Sequence, residues 1–318
     1  MPARWSAIRN SELAWMEVLP ADADRQQLPR PESPWATDMD ACSQLIENHP
    51  PGAGKSALGW SLPSRHDLVY YRDLIAVLVA KEFKIRYKST VIGYAWSLMH
   101  PLAFALVFFV LFKVVMRFEL PAYSLFLIAG LFPWHWVSNT VTSSNFAFLG
   151  NSSLIKKVRF HRATLVLASV LNELVHFAIS IPIVVGFMLY YGRYPQLDWL
   201  FWLPTLIAIQ FVMTFGLALL IATINLFFRD LERLSTIIMH LLFYITPVIY
   251  PFEKLPVNFR WVLYANPFAP LVLCWQGLFY HGAVPAEFAA LAAIWAVVCC
   301  LIGYRIYQAL VWRFAEIV

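Results

Sequence analysis

Six long apolar runs dominate the sequence, and each is long enough to cross a lipid bilayer as a helix. They lie approximately at residues 91–112, 123–148, 163–191, 199–228, 234–250 and 288–311. A bilayer core of about 30 Å requires about 20 apolar helical residues, so most of the runs exceed this minimum and the fifth is at its short limit. Of the 318 residues, 60% are hydrophobic and 14% are charged, whereas roughly a quarter are charged in soluble domains. These features predict an all-α integral membrane protein with six transmembrane helices, and they exclude a soluble or a disordered chain.

The first 65 residues have a polar, acidic and Pro-rich composition that is typical of a flexible extension, here expected to be cytoplasmic. Ten of the nineteen acidic residues lie within residues 1–73. The extension lacks the apolar core of a signal peptide, so we expect no cleavage for secretion. The triplet GKS at 54–56 resembles the end of a phosphate-binding loop, but His49 occupies the position of the first glycine. Without that glycine and a preceding strand, a chance match in a linker is favoured.

The four cysteines lack the spacing of a metal site. They are Cys42, Cys274, Cys299 and Cys300. We therefore expect reduced thiols and neither a metal nor a cofactor in this chain.

Residues 66–90 are predicted to form an amphipathic helix at the cytoplasmic membrane surface. An apolar stripe recurs at helical spacing and consists of Tyr71, Leu74, Ile75 and Leu78. Basic residues follow on the other face and at the end of the segment: Lys81, Lys84, Arg86 and Lys88. Such a helix buries its apolar face in the interface while its cations contact anionic head groups. Residues 91–318 would then form the transmembrane domain.

The distribution of Lys and Arg predicts the orientation of the spans. If the amphipathic helix is cytoplasmic and six spans alternate, twelve basic residues near the span ends face the cytoplasm and five face outwards. Cytoplasmic loops carry the excess of Lys and Arg in membrane proteins. Both termini are therefore expected on the cytoplasmic side.

Residues 251–285 are too apolar for a water-exposed loop, yet prolines at positions 256, 267 and 270 divide them into pieces too short to span. Non-helical backbone at membrane depth is tolerated where protein or a water-filled cavity surrounds it. We expect paired short helices that dip in from the outer face between spans five and six. The alternative is a seventh span at 262–280, which would place the C-terminus outside and weaken the charge asymmetry.

Three segments carry a family resemblance. They are RDL at 72–74 with KIRYKSTVIGYAW at 84–96, NSSLIKKVRF at 151–160, and FFRD at 227–230 with TPVIY at 246–250. Together they resemble the permease subunit of ABC-2-type exporters of polysaccharides and polyol phosphates, which include O-antigen, capsule and teichoic acid exporters. The similarity covers about residue 71 to the C-terminus. His161 departs from the family, whose members often have proline there, and the N-terminal extension is longer than usual.

The resemblance implies a homodimer of six-span subunits in the bacterial inner membrane, with a separate ABC ATPase bound to each subunit. ATP and Mg would be used by that partner, so this chain would be a transport subunit and not an enzyme. The cargo would be a polyisoprenoid-linked glycan, with O-antigen favoured over capsular polysaccharide or teichoic acid. The resemblance also assigns ATPase docking to the amphipathic helix and the following basic loop, through Lys81, Lys84, Arg86, Lys88, Asn151, Lys156, Lys157 and Arg159. Their basic members would equally anchor the chain by the positive-inside rule.

Aromatic side chains suit a glycan path because their rings offer apolar faces to sugars and, for Tyr and Trp, a polar edge. Candidates in the outer half are Tyr244, Tyr250, Trp261, Tyr264, Phe268 and Trp275, and an interfacial aromatic belt that faces lipid is the alternative. Glu173 and His176 share one face near the middle of the third span. Ionisable groups at that depth indicate a function, here lining the path or pairing between subunits, or else a structural polar contact.

Two other classes of function have weaker support. An ion-coupled secondary transporter would show inverted halves with matching broken spans and several embedded acids, whereas the sequence has one break and one central acid. A membrane-bound glycosyltransferase or acyltransferase would need clustered His, Asp or Glu at an interface. The acids of the outer loops are scattered instead: Glu119, Asp198, Glu253 and Glu287.

Overall fold

The structure is a computed structural model that describes residues 65–87, 95–117, 119–157 and 160–314, and within these ranges it is helical and contains no strand. The helices are α1 (Arg65–Tyr87), α2 (Ala95–Phe109), α3 (Tyr123–Ser144), α4 (Ser152–Lys157), α5 (Ala163–Tyr190), α6 (Trp199–Phe227), α7 (Leu231–Ile245), α8 (Trp261–Ala265), α9 (Phe268–Gln276) and α10 (Ala286–Leu310). Two π-helical turns, Val110–Val115 and Gly277–His281, continue α2 and α9. The all-α prediction is confirmed for this part of the chain, and the N-terminal extension lies outside it.

Within the described residues, four helices are long and apolar enough to cross a membrane: Leu98–Val115, Ala163–Tyr190, Trp199–Phe227 and Ala286–Arg313. They correspond to the first, third, fourth and sixth predicted spans. A bent pair, Val257–Ala265 and Phe268–His281, meets at 104° and would raise the number to five if it formed a single span. The chain is therefore a multi-pass membrane protein.

The second and fifth predicted spans differ from simple apolar helices. α3 has 22 residues, but its second half carries Ser, Asn and Thr side chains. α7 has 15 residues and ends at Ile245, five residues before the predicted end of the fifth span. Pro247 explains this early end, because proline lacks an N–H donor and disfavours helical geometry in the residue before it.

α3 lies at the centre of the bundle. Every residue from 125 to 134 is buried, and α3 contacts α2, α5, α6 and α9. Trp136 stacks on Phe177 of α5 at 5.1 Å between ring centroids, and Phe177 contacts Trp275 of α9 at 5.0 Å. These contacts and the burial of residues 125–134 place the first half of α3 inside the bundle, whereas Asn139 in its polar second half is exposed.

Glycines allow α6 and α10 to cross at very short distance. A Cβ atom on Gly303 would overlap the carbonyl oxygen of Gly216, and one on Gly216 would overlap the backbone of Cys300. Small residues at a helix crossing in a membrane let the backbones approach and increase van der Waals contact. This crossing joins the fourth and sixth predicted spans.

The segment after α7 is buried without being helical. Residues 246–249 are all buried, although they lie outside α7 and their backbone has no helical hydrogen-bonding pattern. The side-chain amide of Gln276 donates to the carbonyls of Pro247 (3.0 Å) and Val248 (3.3 Å), and the hydroxyl of Tyr123 donates to that of Ile249 (2.8 Å). These bonds replace the backbone hydrogen bonds that a continuous helix would have made.

α1 uses its apolar stripe to pack on the protein. Tyr70, Leu74 and Leu78 are its most deeply buried residues and join a cluster with α4 and α5. Tyr71 contacts His161 (6.5 Å between ring centroids) and Phe83 contacts His176 (5.4 Å), so α1 runs beside the first half of α5. The stripe is thus covered largely by protein, and contact of α1 with the membrane stays a prediction for its remaining surface.

Replacing Gly303 with alanine is expected to destabilise the protein, because the new methyl group would meet the backbone of Gly216, which no side-chain rotation can relieve. Overpacking of this kind costs about 1–3 kcal/mol, so the melting temperature of the purified chain should fall by roughly 2–8 °C. Gly186→Ala in α5 is the matched control, since a Cβ atom there meets nothing within 4 Å. Equal melting temperatures for the two variants would contradict the close crossing of α6 and α10.

Candidate functional site

A well-placed hydrogen bond attaches the loop between α3 and α5 to α1. The ammonium group of Lys81 donates to the side-chain oxygen of Asn151 at 2.7 Å. Asn151 is buried and donates in turn to the carbonyl of Ala147 at 2.9 Å. Two residues assigned to ATPase docking therefore bind each other, and Asn151 holds the loop in place from inside.

A hydrophobic cluster lies beneath this contact and joins five elements at one end of the molecule, called here the α1 end. α1 contributes Tyr70, Leu74 and Leu78, α4 contributes Leu154 and Ile155, and further members come from α5 and the ends of α6 and α10. Phe148, just after α3, packs on Phe314 at 4.9 Å. The cluster ties the loop to four long helices, so a displacement of α1 is transmitted to the bundle.

Arg162 connects the loop to the C-terminal end of α10. Its guanidinium donates to the carbonyl of Val311 at 2.7 Å and lies 5.5 Å from the ring of Phe314. The hydroxyl of Tyr307 accepts a hydrogen bond from the backbone N–H of Ala163 at 3.2 Å. The basic loop therefore has a structural partner that the sequence patterns did not indicate.

The structure describes the side chains of some of the remaining docking candidates and not of others. Lys156 is exposed on α4 and has no side-chain bond within the described ranges. Lys84, Arg86 and Lys157 lie in helices, but their side chains are outside the described structure, as are Lys88 and Arg159 altogether. Arg229, Arg305 and Arg313 are exposed near the ends of α6 and α10, so the α1 end carries several exposed cations.

The six aromatic path candidates fall into two groups. Tyr244, Trp261 and Tyr264 are 60%, 66% and 49% exposed. Tyr250 is half-buried and donates its hydroxyl hydrogen to the carbonyl of Ile245 at 2.8 Å. The other two, Phe268 and Trp275, are buried within the chain. Within one copy of the chain, only the first group presents open ring surface.

Trp275 and Phe268 hold the bundle together. The indole N–H of Trp275 donates to the side-chain oxygen of Gln210 at 2.6 Å, and the amide of Gln210 donates to the carbonyl of Pro133 at 2.9 Å. Phe268 packs edge-on against Trp134 at 5.7 Å. Sequence reasoning missed Gln210 and its counterpart Gln276, although an isolated amide inside an apolar run is itself a signal of a buried hydrogen bond.

Glu173 and His176 are buried and line a cavity of about 40 Å³. The other lining residues come from α2, α3 and α5, among them His135 and Asn139, and none comes from α7, α8 or α9. His176 also packs against Phe83 of α1. The structure therefore places these two residues apart from the exposed aromatic residues, at a polar site among the first three long helices.

Comparison with protein families identifies the chain. The family described as ABC-2 type transporter matches residues 73–280, which is more than half of the sequence. The chain belongs to the ABC-2 type transporter family. As a member of a transporter family it is a transport subunit and not an enzyme itself. The matched residues extend from within α1 to the π-helical turn that continues α9, so the predicted docking elements and the non-helical segment after α7 both lie inside the family region.

Several curated proteins are similar to this ABC-2 chain. An O-antigen export system permease protein RfbA of Klebsiella pneumoniae is 41% identical over 257 residues, which are 81% of this chain and 99% of that protein. The protein of the same description in Myxococcus xanthus is 34% identical over 254 residues, 79% of this chain and 97% of that protein. The polysialic acid transport protein KpsM of Escherichia coli is 21% identical over 205 residues, 62% of this chain and 78% of that protein.

The Lys81–Asn151 bond can be tested by removing its donor. Lys81→Met keeps most of the aliphatic chain but leaves the buried oxygen of Asn151 without its donor, which costs about 1–3 kcal/mol. We expect a lower melting temperature and faster proteolysis of the loop at 149–162 in the full-length chain. Lys156→Met is the control, because that exposed cation has no bond to lose. Equal behaviour of the two variants would show that Lys81 does not hold the loop.

Proposed function

We propose that this chain is the membrane permease of an ATP-driven exporter that moves a polyisoprenoid-linked polysaccharide, O-antigen, from the cytoplasm to the outer face of the inner membrane. The observation that carries the proposal is the 41% identity to an O-antigen export permease over 99% of that protein's length.

Six spans follow if α3 and the α7 segment both cross the membrane. α3 has 22 residues and is about 33 Å long at 1.5 Å per residue. α7 alone reaches only about 22 Å, and the buried, non-helical residues 246–249 continue the chain beyond it. The hydrogen bonds from Gln276 and Tyr123 support this arrangement, because they satisfy the carbonyls of the non-helical part of such a span.

The bent pair of α8 and α9 is better described as re-entrant than as a span. Pro251 and Glu253, which precede the pair, line the same cavity as His281 and Gly282, which follow it. The two ends of the pair therefore lie on the same side of the molecule. α9 starts at mid-depth beside Trp134 and its continuation reaches Pro121, whose carbonyl accepts the Tyr280 hydroxyl at 2.7 Å. This geometry supports helices that dip in and return.

The α1 end is proposed to face the cytoplasm, together with both termini. Exposed basic residues gather there, as the positive-inside rule requires. With six spans and a re-entrant pair, α10 returns the chain to the side on which α1 lies. The opposite end, where the loop between α5 and α6 meets the re-entrant pair, would then face outwards.

Two copies of this chain and two ABC ATPase subunits are proposed to form the exporter. α1 and the loop at 149–162 would receive the ATPase, because they are fastened to each other and to the bundle at the α1 end. ATP and Mg would be bound by the ATPase. The glycan would pass along the exposed rings of Tyr244, Trp261 and Tyr264, which present apolar faces and polar edges without enclosing a ligand.

A capsular polysaccharide is the second candidate cargo. The 21% identity to a polysialic acid transport protein over 62% of this chain favours it to a lesser degree. Teichoic acid is a third polymer of the same class. An ion-coupled transporter or a membrane enzyme has less support, because the chain belongs to the ABC-2 type transporter family.

Charge reversal tests the docking surface. Lys156→Glu should weaken co-purification of the neighbouring ABC ATPase roughly threefold to tenfold, because an exposed attractive contact becomes repulsive. Lys113→Glu is the control, since Lys113 is an exposed cation at the far end of α2. Unchanged recovery of the ATPase with Lys156→Glu would remove Lys156 from the docking surface.

ATPase measurements test the function itself. The chain alone should hydrolyse no ATP, the complex with its ABC ATPase in lipid should, and the lipid-linked glycan should change the rate. A complex whose rate ignores lipid-linked O-antigen but responds to a capsular glycan would favour the second cargo. Failure of the two proteins to form any complex would contradict the exporter proposal.

A further inference from the structure

A large open cavity lies at the end of the molecule opposite to α1. It has a volume of about 760 Å³ and is formed by the loop between α5 and α6 and by the segments that flank the re-entrant pair. This size falls within the range of about 300–1,000 Å³ that is typical of small-molecule sites. Its characteristic side chains are Arg193, Tyr194, Gln196, Glu253, Tyr280 and His281.

The polar side chains of the cavity have unused hydrogen-bonding capacity. Within the described ranges, Arg193, Gln196, Glu253 and His281 make no side-chain hydrogen bond and no ion pair. Arginine offers donors, glutamate offers acceptors, and glutamine and histidine offer both. Four such groups that converge on one cavity without binding each other are arranged to bind a polar ligand.

Several contacts hold these groups in position. The guanidinium of Arg193 lies over the ring of Tyr280 at 4.3 Å from its centroid, and the hydroxyl of Tyr280 is fixed by the carbonyl of Pro121. Gly282 has a φ of +80°, and a Cβ atom there would lie 3.2 Å from the amide nitrogen of Gln196. Glycine at this position therefore gives both the left-handed turn and the room that Gln196 occupies. A preorganised site loses less conformational entropy when it binds.

The composition of the cavity favours an uncharged polyol over an anion. One cationic and one anionic side chain, Arg193 and Glu253, balance each other, whereas a phosphate site would gather cations. Tyr194 is 72% exposed and presents an open ring, to which the apolar face of a sugar can pack. Planar polar side chains beside an open aromatic ring are the groups that a pyranose needs for its hydroxyls and its CH face.

The cavity is connected to the exposed aromatic residues. A second hollow of about 410 Å³ shares Glu253 and His281 with it and is bordered by Phe288. Phe288 contacts Tyr264 at 6.0 Å between ring centroids, and Phe252 contacts Phe288 at 5.6 Å. A sugar chain that leaves the rings of the proposed path would therefore meet this cavity next.

We propose that the cavity around Arg193, Gln196, Glu253 and His281 is a saccharide-binding site that holds pyranose units of the exported glycan at the outer face. The proposal rests on the proposed function, because it takes the exported glycan as the ligand. The site lies within one copy of the chain, so it needs no residue from a second copy. The site would hold the emerging glycan between successive cycles of ATP hydrolysis by the ATPase.

The test uses the full-length chain co-purified with its ABC ATPase in lipid nanodiscs. The probe is a fluorescently labelled oligosaccharide released from the O-antigen of the same cells, and equilibrium dialysis measures its binding. The double variant Arg193→Gln with Glu253→Gln should bind at least about tenfold more weakly, because two charge-assisted hydrogen bonds become weaker neutral ones. Glu287→Gln is the control, since Glu287 is exposed on the first turn of α10 and does not line the cavity.

A lipid head group is the other source of hydroxyl groups at this surface, and a competition experiment separates the two. Excess unlabelled oligosaccharide should displace the probe, and dioctanoyl phosphatidylglycerol should not. Displacement by the lipid alone, or equal binding by the double variant and the wild type, would overturn the proposal. Both variants are checked for recovery of the ATPase, so that a misfolded chain is not counted as a loss of binding.

Complementation separates failure of this site from failure of the proposed function. In cells that lack the gene, the wild-type chain should restore glycan at the surface, and the double variant should restore less of it. If the wild type restores export but the variant matches it in export and in binding, the saccharide site is refuted and the exporter stands. If the wild type restores no surface glycan, both proposals fall.

Discussion

The non-helical segment after α7 must meet a requirement that lipid imposes on every backbone polar group, namely a hydrogen-bond partner within the protein. A carbonyl at membrane depth has no water to bind, and each unsatisfied group costs several kcal/mol. Proline at position 247 ends the helix, so the following carbonyls need other donors. Gln276 and Tyr123 supply them from α9 and α3. α9 and α3 are therefore the partners that allow a buried, non-helical segment after α7.

The rest of the bundle is arranged around this polar contact. α3 and α9 are buried along most of their lengths, and Gln210 joins them through bonds to Trp275 and to the carbonyl of Pro133. Because lipid tails are as apolar as leucine, packing and internal hydrogen bonds, not a hydrophobic driving force, hold such helices together. The close crossing of α6 and α10 at Gly216 and Gly303 provides the packing part of this stabilisation.

The α1 end has the mechanical continuity that a motor-driven transporter requires. Lys81 holds Asn151, Arg162 holds the end of α10, and a shared hydrophobic cluster lies beneath both contacts. A force applied to α1 or α4 would reach α5, α6 and α10 through packed side chains and not through a mobile loop. Polar aromatic surface and an open cavity lie at the other end. The two ends suit the two tasks proposed for them, coupling to the ATPase at one and contact with the glycan at the other.

By itself, the sequence determined the class of protein and its long helices, because the length of an apolar run is a local property that decides whether a segment can cross a bilayer. Its three motif segments indicated the family through their resemblance to it. Its aromatic candidates were only partly informative. Tyr244 and Trp275 both lie in apolar sequence surroundings, yet Tyr244 is exposed and Trp275 is buried beside Gln210. Only the tertiary structure decided such differences, and it alone brought Arg193 and Glu253 to one cavity across about sixty residues of chain. The reason is that burial, satisfied carbonyls and convergent side chains depend on contacts between distant segments, which no local pattern encodes.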